Sequence, residues 1–200
     1  QLVADGKAER GIAIPVGSGG DPYHHYPLFT GFGGYVFGRD EAGSYNPEDV
    51  GLDSPGGLAA MNELDRLVKA DVLTSATDYG AAQTLFQEGR LGMWITGPWA
   101  IGDLTNSGVP FAVAPFPTME EMPRPFMGAQ GFMINSFSKN LLLAQAFLTE
   151  FVASDEVMQI IYESNPRPPA WLPVAEAIDD PNIQAFTEVT TAADPMPAIP

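Results

Sequence analysis

Apolar positions along the chain change their period several times, and each change predicts an element. Ile12, Ile14 and Val16 alternate as in a short strand, and the "VGSGGDP" that follows reads as a loop exposing Asp21. At Ser54 the period turns helical: Ser54 is placed as N-cap and Pro55 as the first helical residue. Leu58, Met61, Leu64, Leu67 and Val68 then form a stripe reaching about Lys69. A second helix is predicted from Tyr79 to Glu88, burying Ala82, Leu85 and Phe86 and stopping at Gly89. "LGMWIT" supplies the next strand, and Gly97-Pro98 opens another helix. "PFAVAPFPT" reads as extended and "GFMIN" as a short strand ending near Asn135. Ala144, Phe147, Leu148, Phe151 and Val152 return to helical spacing. Ser154, with Asp155 and Glu156 behind it, starts a further helix that Asn165-Pro166 ends. "NPRPPAWLP" is a rigid connector, and the proline-punctuated tail from Asp179 is expected to lie along the surface. Strands alternating with helices predict an α/β fold.

Charge narrows the partners. The 200 residues carry 25 acids and 9 bases, a formal net charge of -16, which repels phosphate backbones and anionic lipid. Nucleic acid is therefore excluded as a partner class. Cysteine is absent, so neither disulfides nor thiolate metal sites are available. The longest apolar runs, such as "LLLAQAFL", fall short of the roughly 20 residues of a membrane span, and the first sixteen residues carry no signal-peptide pattern. His24 and His25 are adjacent; on an extended backbone they would point apart, and no metal or other cofactor is expected.

Candidate chemistry centres on Trp99, in the first turn of a helix that directly follows a strand. Open α/β sheets form their ligand crevice at that edge, where helix N-termini offer unpaired donors. Asp21 and Tyr23, after the first strand, fall at the equivalent edge. An aromatic face beside a carboxylate suits a sugar, whose ring has an apolar C–H face to stack and hydroxyls to donate. Trp94, inside its strand, is assigned to the core. A glycosidase would need two carboxyl groups about 5 to 10 Å apart across the scissile bond. Local reasoning places only Asp21 at the face, since Asp78 and Asp103 read as helix-terminal residues, so a binding protein is favoured over an enzyme.

"DPYHHYPLFTGFGGYVF", "DVGLDSPGGLAAMNELDRLV", "TDYGAAQTLFQEGRLGMWITGPWAIGDL", "PFMGAQGFMIN" and "PMPAIP" together resemble successive segments of the maltose-binding protein family, the extracytoplasmic solute-binding proteins of carbohydrate ABC transporters. The resemblance runs along essentially the whole chain. It implies a periplasmic-binding-protein-like (type II) α/β fold whose two lobes close on a sugar and present it to membrane permease subunits of an importer. The location implied is periplasmic or extracellular, with a lipid anchor compatible. By similarity, Trp99 matches the family's stacking tryptophan and Tyr23 an aromatic that packs on the sugar. Asp21 stands where maltose binders carry Glu. Tyr79 and Met196 match groove-lining positions, and His24 replaces an aromatic.

The resemblance also implies a fragment, since family members are about twice this length. Residues 1–127 correspond to the second lobe, 128–178 to a segment of the first, and 179–200 to a return to the second. The expected consequence is an exposed apolar face around Phe132, Ile134, Phe147 and Phe151. Maltose or a malto-oligosaccharide is the expected ligand, with trehalose and cyclodextrin served by similar chemistry. An isolated lobe that binds nothing is the alternative.

Overall fold

The computed structural model describes residues 1–198, so the last two residues of the 179–200 segment lie outside the described residues. Helices dominate. Helix α1 (Pro22–Gly31) is followed by a hairpin of β1 (Phe37–Arg39) and β2 (Tyr45–Val50), then by α2 (Pro55–Lys69) and α3 (Tyr79–Gln87). A 3-10 turn (Pro98–Ala100) leads into α4 (Ile101–Ser107), and β3 (Phe126–Met127) precedes α5 (Leu141–Ala146). A π-helical turn (Phe147–Val152), α6 (Asp155–Ser164), α7 (Leu172–Ala177), α8 (Pro181–Thr190) and β4 (Asp194–Pro195) complete the order.

The predicted strands at residues 12–16 and 91–96 are extended segments joined by two isolated parallel bridges, Arg10 with Leu91 and Ala13 with Trp94. Gly92 N–H donates to the Arg10 carbonyl, Ala13 N–H to Met93 and Ile95 N–H to Ala13, at 3.0, 2.9 and 3.0 Å. Because the two segments run parallel, their carboxyl ends share one edge. The Val16 N–H donates to the Thr77 carbonyl at 2.9 Å, which brings the start of α3 to that edge as well.

Helix starts follow their capping chemistry. Ser54 accepts from Gly57 N–H, Asp78 from Ala81 N–H and Ser154 from Val157 N–H, as expected for hydroxyl and carboxylate caps. Four expectations need correction. His24 and His25 lie on α1, not on an extended backbone, because Asp21 caps a helix that Pro22 begins. "GFMIN" forms no strand; Phe132 and Met133 are exposed, and the short pairing in this region is instead β3 with β4, parallel. The tail from Asp179 contains α8, capped by Asp180, whose Ile183 is among the most buried side chains. On α2 the buried residues are Gly57 and Ala60, while Leu58, Met61 and Val68 are exposed. The small residues win that face because α2 lies against backbone: a β-carbon on Gly57 would stand 2.6 Å from the Leu52 carbonyl oxygen.

Two apolar clusters form the core. One gathers Ala13, Ala82 and Leu91 with Leu85, Phe86 and Trp94; the other gathers Tyr26, Phe29 and Ala60 with Phe32, Val36 and Phe126. Fully buried Thr30 fastens the second to the approach of β3, its hydroxyl donating to backbone carbonyls and accepting from Arg124 N–H at 2.8 Å. Asp194 binds Arg39 and Arg124, each at 3.2 Å, and the buried Tyr26 hydroxyl donates to it at 3.3 Å. That network ties β4 to the hairpin, to β3 and to α1.

Candidate functional site

Three helical N-termini converge where the parallel segments end, and each contributes an aromatic residue from its first turn. Tyr23 and His24 come from α1, Tyr79 from α3, and Trp99 from the 3-10 turn. Their rings are in contact: Tyr23 to Trp99 at 5.9 Å between centroids, His24 to Trp99 at 5.8 Å, His24 to Tyr79 at 5.7 Å and Tyr23 to His24 at 5.7 Å. All four are half-buried. Tilted and edge-to-face arrangements at this range are the favourable ones for aromatic pairs.

The cluster bridges the two cores. Trp94 packs on Tyr79 at 5.1 Å and on Phe86 at 6.0 Å, which joins the cluster to the first core. Phe126 lies 5.8 Å from Tyr23 and stacks on Tyr26 at 3.6 Å with the ring planes nearly parallel, which joins it to the second. Trp94 is thus the packing residue its strand position predicts. Gly97 serves Trp99 directly: the indole folds back so closely that any β-carbon at residue 97 would collide with it. The Gly-Pro-Trp sequence therefore has a steric reason, with Pro98 starting the turn and Gly97 leaving room for the ring.

Asp21 has both carboxylate oxygens engaged by one residue. Oδ1 accepts the His24 N–H at 3.1 Å as the helix cap, and Oδ2 faces His24 Nδ1 at 2.6 Å. The Tyr79 hydroxyl lies 3.4 Å from Thr96 Oγ1, and burial raises the Tyr23 phenol, which keeps its proton. His25, one residue further along α1, is held below the ordinary histidine range mainly by burial. Met196 lies outside the ring cluster; it is exposed and follows β4, whose Pro195 pairs with Met127 next to Phe126. Asp78 caps α3, whereas Asp103, in the first turn of α4, caps nothing and accepts from Gln83 Nε2 on α3 at 2.9 Å.

Sequence reasoning brought Asp21, Tyr23, His24, Tyr79 and Trp99 to one place but missed Thr96, Gly97 and Phe126. Gly97 carried a signal in its proximity to Trp99; Phe126 carried none, because its place depends on pairing with a segment 68 residues away. A small cavity lined by Ile12, Ala13, Leu85 and Leu91 among others has a volume of about 10 Å³, room for one water. Among the described residues no three His, Asp or Glu side chains group as metal ligands, and no helix is long and apolar enough to cross a membrane.

The sequence pattern of bacterial extracellular solute-binding proteins matches residues 1–159. The chain belongs to that family. Within it, the chain is 31% identical over 191 residues to a galactooligosaccharide-binding protein of Bacillus subtilis, covering 89% of this chain and 44% of that protein. It is 29% identical over 189 residues to the maltodextrin-binding protein MdxE of the same organism, covering 90% and 44%. A maltotriose-binding protein of Pyrococcus abyssi is 29% identical over 181 residues, covering 87% and 36%. The chain thus spans less than half the length of the curated relatives it matches, and the family's type II periplasmic-binding fold is represented by a partial, mixed helix-and-strand structure.

Proposed function

We propose that this chain carries the aromatic half of an oligosaccharide site, that it binds maltose or a malto-oligosaccharide, and that the whole protein delivers the sugar to the permease subunits of an ABC importer outside the cytoplasm. The observation that carries the reading is the convergence of Tyr23, His24, Tyr79 and Trp99 at three helix starts on one edge. Half-buried rings present faces for pyranose stacking, and the hydroxyls of Tyr23 and Tyr79 supply polar contacts at the rim. Met196 extends the site toward β3. Relatives named for galactooligosaccharide and for maltodextrin binding bracket the ligand class.

Residues 1–127 and 179–198 act as one lobe, and residues 128–178 pack into another. Support comes from the β3–β4 pairing and from the Val113 N–H, which donates to Asn182 Oδ1 at 2.9 Å, both joining the late segment to the early one. In between, Phe132, Phe147 and Phe151 are exposed and Ile134 is half-buried. That exposed face supports a second reading, in which these 200 residues bind nothing without the remaining protein.

Tryptophan fluorescence titrations with maltose, maltotriose and a galactooligosaccharide test both, using this chain and a chain of the relatives' length. Saturation with a gluco-oligosaccharide supports the first reading; saturation only in the longer chain supports the second. In whichever chain binds, Trp99→Ala is expected to lower affinity at least about tenfold, while Trp94→Phe changes it less than about threefold. Equal losses would reduce Trp99 to a packing residue.

A further inference from the structure

A carboxylate in an aromatic site invites the assignment of direct acceptor from sugar hydroxyls, but the geometry around Asp21 points elsewhere. Both oxygens face inward to His24, one to its backbone N–H at 3.1 Å and one to Nδ1 at 2.6 Å. The Asp21 side chain is 23% exposed and that of His24 11%. A carboxylate only accepts, so a contact of this length requires the proton on Nδ1. In the neutral ring the lone pair then resides on Nε2, fixed by the hydrogen bond that the other nitrogen makes. Nε2 is buried among Tyr23, Tyr79 and Trp99 and has no hydrogen-bond partner among the described residues. Buried polar atoms are nearly always paired, so an orphan at the centre of a candidate site calls for a partner from outside the chain.

We infer that Asp21 is a positioning residue: it locks His24 in the Nδ1–H tautomer, so that the hydrogen bond at the heart of the aromatic cluster is accepted from a ligand hydroxyl by His24 Nε2 and not by the carboxylate. The inference rests on the sugar-binding reading for its ligand. Because Nε2 is covered, the hydroxyl reaches it as one of the three rings swings aside, and Trp99, in contact with Tyr23, His24 and Gly97, reports that movement.

The test combines histidine tautomer and affinity, in the 200-residue chain labelled with 15N-histidine. Imidazole 15N shifts are expected to show a protonated Nδ1 and a bare Nε2 in the neutral His24 ring. In Asp21→Asn the amide oxygen keeps the helix cap while its N–H₂ faces Nδ1, so the proton moves to Nε2; in Asp21→Ser the cap survives and the ring is free to adopt either form. A bare Nδ1 in the parent chain, or one tautomer pattern in all three, overturns the lock without reference to any sugar.

With maltotriose, the Nε2 resonance of the parent is expected to shift as tryptophan fluorescence saturates. Asp21→Asn should weaken binding at least about tenfold and Asp21→Ser less, since only the amide enforces the wrong polarity. A carboxylate acting directly would give the opposite order, because Asn retains an acceptor oxygen at the same reach and Ser does not. Saturation without an Nε2 shift also overturns the ligand contact. If the 200-residue chain binds no sugar, the same titrations of the three variants in the chain of the relatives' length decide the ligand contact; absence of binding there too sinks the proposed function, while the tautomer shifts still decide the lock.

Discussion

His25 and Trp99 show how single side chains at this site depend on what the backbone buries. Burial holds the His25 ring below its ordinary range; His24 acts the same way, while the charge of Asp21 and the Pro15 carbonyl pull against them. The folded chain therefore binds a proton less readily than the unfolded one, whose histidines titrate near about 6.5. The His25 contribution is intact above that range and is lost as pH falls through it, because the unfolded state takes up a proton that the folded state refuses. The melting temperature is expected to fall from about pH 7.5 to about pH 5, and His25→Gln, still able to donate to a carbonyl, should flatten that slope. An unchanged slope would assign the pH dependence to the carboxylates. Trp99 was legible because its position after Gly97-Pro98 is local information. The Asp21–His24 contact was not, since it requires knowing that residues 22–31 are helical.

At the scale of elements, three helices begin with the same two-residue signature: Asp21-Pro22, Ser54-Pro55 and Asp180-Pro181. Only the second was read as a start, because only there did an apolar stripe follow. In α1 the run from Tyr26 to Gly31 is buried on every side, so no period marks it. Capping chemistry was the better guide in all three. The stripe on α2 misled in its facing: Leu58 is 56% exposed, whereas Gly57 packs against the Leu52 carbonyl and the Phe29 ring. Gly57→Ala is therefore expected to destabilise the chain by about 1–3 kcal/mol through overpacking. Leu58→Ala should change stability by less than about 0.5 kcal/mol. Urea unfolding of the two variants decides it, and a larger loss at Leu58 would restore the face that the periodicity predicts.

For the molecule as a whole, surface and charge oppose each other. The chain exposes 12708 Å², whereas a compact monomer of 21.4 kDa exposes about 9,000 Å². Much of the apolar part lies on one stretch, with Met133 at 94% exposure and Phe137 at 91%, and Leu142, Phe147 and Phe151 also exposed. Exposed apolar surface of this kind drives association. A net charge of -16 resists it, and the resistance depends on ionic strength because the Debye length shrinks from about 30 Å at 0.01 M to about 8 Å at 0.15 M salt. The 200-residue chain is therefore expected to sediment as a monomer at low salt and to self-associate as salt rises. Were ion pairs between copies responsible, salt would dissociate the assembly instead. Replacing Phe147 and Phe151 together by Ser removes apolar surface without adding charge. That variant should remain monomeric at the higher salt and melt within a few degrees of the parent, since both rings are exposed and stack on each other. Association unchanged in the variant would move the contact to another surface, and a large fall in melting temperature would mean that the face is part of the core.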